Sequence, residues 1–176
     1  MSTQLRRISW PLGLLLSIIG PLAIASEASG AATHSTHRYA YATNGIEDHM
    51  VGRGSEWKLL LNESNLGGKE LEMVEVTLPP GTAVPSHMHR SVEVIYVLSG
   101  TYDHEVNGKR YRLTPGMVGI VRPGDHVRHL VPKSGPAKLL IIWSPAGEAK
   151  RVLRNLKGTP IAPVPEIDSG TQEQSQ

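Results

Sequence analysis

The 176-residue chain contains no cysteine. Disulfides and thiolate metal sites are therefore excluded, and any metal must be held by nitrogen and oxygen. Phenylalanine is also absent, and Trp and Tyr number only 3 and 5. A core has to be assembled from Val, Leu and Ile. Basic residues barely outnumber acidic ones, 18 against 16, and no run of five or more Lys and Arg occurs. The basic stripe that reads a phosphate backbone is missing, so no nucleic-acid partner is expected. After Ala25 no stretch is long and apolar enough to span a membrane, so no membrane partner is expected once the N-terminus is removed.

That N-terminus has its own pattern. Arg6 and Arg7 precede an apolar stretch from about Ile8 to Ala25, which ends in Ala23-Ile24-Ala25. A positive start, an apolar middle and an A-x-A site make a secretory signal peptide over residues 1–25, with cleavage after Ala25 or, alternatively, after Ala28. The competing reading is an uncleaved anchor, but the stretch is short for one and carries Pro11 and Pro21. The arginine pair hints at twin-arginine export, although its flanks match that pattern poorly. The protein is thus expected to be secreted or periplasmic. Residues 26–36, small and polar, read as a flexible leader. Residues 37–160 read as one domain, and 161–176 as a Pro-rich then polar tail, able to strap onto the domain through Ile161 and Val164.

Within the domain, short β-like runs are split by turn signals. "EWKLLLN", "KELEMVEVTL", "VEVIYVL", "TYDHEV", "KRYRL", "MVGIV", "HVRHLV" and "AKLLIIW" end at Gly, Pro or Asn-Gly. Asn107-Gly108 is a hairpin signal. Strand-sized runs with a turn every eight to twelve residues imply an all-β sandwich or barrel. Only residues 147–156, "GEAKRVLRNL", look helical, giving one short helix near the C-terminal end.

The chemistry concentrates in residues 81–100, "GTAVPSHMHRSVEVIYVLSG". Residues two apart in extended chain face the same side. His87 and His89 therefore point together, and if the extended chain continues, Ser91, Glu93, Ile95 and Val97 share their parity. One face then carries two imidazoles, a carboxylate and an apolar floor. Such groups are costly in an apolar mouth unless a metal satisfies them together; solvated residues on a surface strand are the alternative. The opposite parity, Val92, Val94, Tyr96 and Leu98, is apolar as well. A strand apolar on both faces is buried on both, so N-terminal strands, the short helix or a second subunit should cover the outer side. A homodimer is the expectation.

This stretch resembles the first cupin motif, G-x5-H-x-H-x3-E-x6-G, at every fixed position: Gly81, His87, His89, Glu93 and Gly100. "VGIVRPGDHVRH" is similar to the second, P-x-G-x2-H-x3-N. The resemblance spans roughly residues 55–150. It implies a double-stranded β-helix, or jelly-roll barrel, holding one divalent metal ion through three His and one Glu. The second motif departs from the pattern. Its spacing puts Val127 where the last His belongs, its terminal Asn is missing, and Met117 stands where Asp is frequent. His126 and His129 both remain candidates for the fourth ligand. Parity favours His129, which would point inward with Val127 and Val131, whereas His126 would take Arg128 inward.

N and O donors do not choose among Fe, Mn, Ni, Cu and Zn. An open metal position would take a small oxygen-rich compound such as an enediol, catechol, diketone or hydroxy acid. Glu93 would be a ligand throughout, or detach to act as general base. The resemblance implies that dioxygenases, isomerases, decarboxylases and non-catalytic binding or sensing proteins all use this arrangement. The expectation is a metal-dependent enzyme, dioxygenase-like or isomerase-like, with the binding protein as the alternative. Arg90 and Arg122 flank the motifs and read mainly as solvated rim charges. His104 and Glu105 are neighbours in a strand, face opposite ways and form no dyad. His34, His37 and His49 lie in or near the leader and offer at most a loose second metal site.

Overall fold

A computed structural model describes residues 41–52 and 54–165. The signal-peptide and leader segments, with His34 and His37, and the end of the tail lie outside the described residues. Eleven strands are β1 (Glu47–Val51), β2 (Ser55–Leu61), β3 (Glu72–Leu78), β4 (Ala83–His87), β5 (Val92–Ser99), β6 (Tyr102–Val106), β7 (Lys109–Leu113), β8 (Val118–Val121), β9 (Val127–Leu130), β10 (Ala137–Ser144) and β11 (Gly158–Pro160). Two short helices, α1 (Glu63–Leu66) and α2 (Glu148–Leu153), interrupt them. Among the described residues no helix is long and apolar enough to cross a membrane.

The strands form two antiparallel sheets. One has the order β11-β1-β2-β3-β10-β5-β8, the other β4-β9-β6-β7. This is the expected all-β barrel architecture, with the inward faces of both sheets making the core. The Asn107-Gly108 turn joins β6 to β7 with both residues at positive φ, as a two-residue hairpin requires. The expected helix over 147–156 forms as α2, shorter at both ends. α1 was not anticipated; Asn62 caps it, accepting from the Ser64 amide at 2.8 Å.

Three central strands stack their inward residues in rungs. Leu78 lies opposite Ala137 in β10. Val76 pairs with Leu139 and Leu139 with Val97; Val74 pairs with Ile141 and Ile141 with Ile95. All eight of these side chains are at 5 % exposure or less. Each such aliphatic contributes roughly 1.5–3 kcal/mol through burial. The next rung changes character: Glu72 lies opposite Trp143, and Trp143 opposite Glu93. The dry floor therefore ends in a buried polar layer at one end of the barrel. The inward row of β3 is Glu72, Val74, Val76 and Leu78, so Met73 belongs to the other face.

One expectation needs correction. Residues 81–100 are not one strand: β4 belongs to the four-stranded sheet and β5 to the seven-stranded one, with residues 88–91 crossing between them. Alternation survives the crossing, because His89, Ser91 and Glu93 are all buried. Within one chain the outer face of β5 is only partly covered. Val92 and Val94 are half-buried, but Tyr96 and Leu98 are each 39 % exposed. β8 pairs alongside at the sheet edge, and its Val118 and Ile120 are exposed too. His49, read as lying in or near the leader, is buried in β1, its Nε2 3.0 Å from Glu47 Oε2. Ile161 does tie back, its amide donating to the Ile46 carbonyl.

Candidate functional site

β4, the 88–91 crossing, β5 and β9 bring His87, His89, Glu93 and His129 together. His87 Nε2 lies 3.0 Å from His89 Nε2. His89 Nε2 lies 3.4 Å from Glu93 Oε1, and His129 Nε2 lies 3.7 Å from Glu93 Oε2. The His87 and His129 rings are 5.5 Å apart between centroids. His89, Glu93 and His129 are buried and His87 is half-buried, so the cluster is reached from the His87 side. His126 is exposed; its backbone amide and carbonyl bond to Asn107 across the hairpin, and its side chain is not part of the cluster. Among the described residues, no three His, Asp or Glu side chains form a ready-made metal cage as they stand.

Proton placement decides what the cluster lacks. The Pro85 carbonyl can only accept, so His87 Nδ1, 2.9 Å away, carries the proton. His89 Nδ1 lies 3.4 Å from Glu148 Oε2, an ion-pair distance rather than a hydrogen bond, and the carboxylate favours the proton on that nitrogen. With the proton of each ring at Nδ1, a neutral ring presents its lone pair at Nε2, and the two Nε2 atoms lie 3.0 Å apart. Glu93 Oε2, also buried, has no hydrogen-bond donor. Several electron-pair donors thus converge without a hydrogen between them, a costly arrangement for buried groups. A shared cation relieves it. The residues therefore fit an N/O-ligated metal, for which ligand atoms about 2.1 Å from one ion sit roughly 3.0–3.4 Å from each other.

The titration behaviour follows from burial. Burial raises Glu93 to about 7, against the Trp143 hydrogen bond that lowers it. His129 is lowered to about 2, chiefly by burial and then by the neighbouring His104, His87 and His89. Burial also lowers His89, opposed by Glu148. In the metal-free protein the lowered values of His89 and His129 favour the neutral imidazole, the form that ligates metals.

Four supporting residues were not read from the sequence. Trp143 Nε1 donates to Glu93 Oε1 at 3.0 Å. The alternation Ala137, Leu139, Ile141, Trp143 could have placed it inward, and a buried indole N–H needs an acceptor. Tyr102 and His104 stack on the His129 ring at 5.2 and 5.4 Å. Counting back from the Asn107-Gly108 turn by twos would have placed both inside. Glu105 faces away and pairs with Arg110, so the absence of a His104–Glu105 dyad holds. Glu148, at the start of α2, meets the site across 58 residues of chain, and no local pattern signals it. Arg90 and Arg122 are exposed on the surface, and the amide of Arg90 reaches Glu148 at 2.8 Å. A separate cleft of about 620 Å³ lies between α1, α2 and β1, lined by His49, Glu72 and Leu153 among others; none of the four clustered side chains lines it.

Comparison with known proteins agrees with this architecture. Residues 74–143 match the cupin domain family model. The RmlC-like cupin from Shewanella frigidimarina superposes with a TM-score of 0.52 at 27 % identity, over 65 % of this chain and 96 % of that one. KdgF from Halomonas sp. gives 0.51 at 19 % identity, over 58 % and 88 %. The polyketide cyclase RemF from Streptomyces resistomycificus gives 0.50 at 17 % identity, over 57 % and 75 %. A 51-residue segment is 45 % identical to the HTH-type transcriptional activator RhaS of Escherichia coli O81; it spans 29 % of this chain but only 18 % of that protein. The matched segment, running from the core of β3 through both motif regions to Trp143, is a cupin domain.

Proposed function

We propose that this cupin is an exported metal-dependent enzyme, dioxygenase-like or isomerase-like, acting on a small oxygen-rich compound. His87, His89, Glu93 and His129 would hold one divalent ion drawn from Fe, Mn, Ni, Cu and Zn. The observation that carries this reading is the facing pair of Nε2 atoms of His87 and His89 beside a donorless Glu93 Oε2. When bound, the metal supplies a Lewis-acid centre for a bidentate oxygen compound. The chain does the rest. The floor of Ile95, Val97 and Val121, each fully buried, keeps water from below the cluster. Entry is then from the half-buried His87 side. Glu93, with Oε1 held by Trp143, would serve as a ligand or, when detached, as a general base.

The test is elemental analysis of protein purified from its own compartment, with oxygen uptake and product formation over catechols, diketones and hydroxy acids. Alanine at His87, His89, Glu93 or His129 is expected to abolish stoichiometric metal. His126→Ala is expected to keep it. Full metal in His129→Ala with loss in His126→Ala overturns the ligand assignment. Tight metal without turnover of any compound favours the binding or sensing protein instead.

A further inference from the structure

The carboxylate of Glu148 is held far more firmly than a helix-terminal glutamate needs to be. It is 5 % exposed. Oε1 accepts from the Arg90 amide at 2.8 Å. Oε2 accepts from Arg151 Nε at 2.8 Å and meets its terminal nitrogen at 2.7 Å. The same Oε2 lies 3.4 Å from His89 Nδ1. Helix α2 is itself fixed from the other side, where the Ala149 amide donates to the buried Glu72 carboxylate. Ser91 Oγ adds a bond to the Pro145 carbonyl at 2.6 Å, tying the crossing to the chain just before α2. The crossing that carries His89 has no strand pairing of its own, so its orientation must come from elsewhere.

We infer that Glu148 is a positioning residue: braced by Arg151 and the Arg90 amide, it holds the His89 ring with Nδ1 toward α2 and Nε2 toward His87 and Glu93. This rests on the proposed metal reading for its consequence, but not for its geometry. A carboxylate behind a ligating imidazole fixes the tautomer and ring orientation and raises ligand basicity, and its loss typically lowers metal affinity about 10- to 100-fold. Here the device is built across 58 residues of chain, so α2 is part of the site rather than an appendage.

The experiment uses the mature protein with Co2+ as the probe and 15N spectra of the imidazoles. In the metal-free wild type, His89 is expected in the Nδ1–H form. Glu148→Ala is expected to mix the His89 tautomers while leaving the His129 signals in place, and to weaken Co2+ about 10- to 100-fold. Glu148→Gln keeps an acceptor without the charge and should fall between. Ser91→Ala loosens the same segment without touching His89 Nδ1 and should bind Co2+ like the wild type. Should Glu148→Ala fail to fold, Arg151→Ala, which frees the carboxylate at the surface, is expected to weaken Co2+ in the same direction. Unchanged His89 spectra and unchanged affinity in the Glu148 variants, or an equal loss in Ser91→Ala, overturn the inference. If the wild type binds no Co2+, the metal reading fails, while the metal-free spectra still decide the role of Glu148.

Discussion

Trp143 Nε1 donates to Glu93 Oε1 at 3.0 Å, whereas Oε2 of the same carboxylate has no donor. One oxygen is anchored and the other is left for something else. Adjacent register positions on β10 and β5 impose this, since Trp143 lies directly opposite Glu93. Replacing Trp143 by Phe keeps an aromatic ring and removes the anchor. A hydrogen bond to a charged group is worth about 1.5–3 kcal/mol, and the smaller ring adds a cavity cost. The urea midpoint of Trp143→Phe should fall accordingly. Glu93 should also titrate higher, because the indole bond favours its charged form. An unchanged midpoint together with unchanged metal uptake would contradict this anchoring role.

Two glycines of the first motif should respond very differently to alanine. Gly100 has φ +79°, and an added Cβ would fall on the Pro136 carbonyl and the Ala137 backbone. Gly81 has φ +77°, but its nearest neighbour would be Lys133 Cγ at 3.7 Å. Gly81→Ala therefore costs only the left-handed conformation, about 1–2 kcal/mol. Gly100→Ala adds a backbone collision, with an overpacking cost of roughly 1–3 kcal/mol or more. Thermal unfolding of the two variants checks the order; equal losses would mean that Pro136 yields freely.

Acid should weaken the sheet through Asp103. Its carboxylate takes Arg112 at 2.8 and 3.0 Å across β6 and β7, which holds its pKa below the ordinary 3.8. The unfolded chain therefore binds this proton at higher pH than the folded one, and stability rises with pH through that interval. The contribution is fully present above about pH 4 and is lost as pH falls through the lowered folded value. Asp103→Asn should be less stable than the wild type at pH 7, and the gap should close near pH 2 in urea titrations. A gap independent of pH would assign the loss to packing instead.

The barrel and three clustered side chains were legible because both rest on short-range rules. Strand alternation survives the sheet-to-sheet crossing at 88–91, so His87, His89 and Glu93 still converge though they sit on different sheets. The same alternation placed His129 inside and His126 outside. What sequence hides is contact made by register and by distant chain. Trp143 reaches Glu93 only through the pairing of β10 with β5, and Glu148 reaches His89 only once α2 has docked. The outer face of β5 follows a related rule: apolar alternation reports that a face wants cover, not whether the same chain supplies it.

That uncovered face yields a prediction about assembly. Tyr96 and Leu98 on β5 adjoin Val118 and Ile120 on the edge strand β8, with exposures of 39 % to 54 %. Contiguous apolar surface along a sheet edge is unusual for a monomer and prone to edge pairing. The expected occupant is a second copy, giving a homodimer by sedimentation at micromolar concentration. Ile120→Glu with Tyr96→Glu should shift the protein to monomer, since two charges would have to be desolvated on each side of the interface. Both positions face away from the barrel interior, so metal content should survive the change. A wild type that sediments as a monomer at those concentrations removes the dimer and leaves the patch to some other partner.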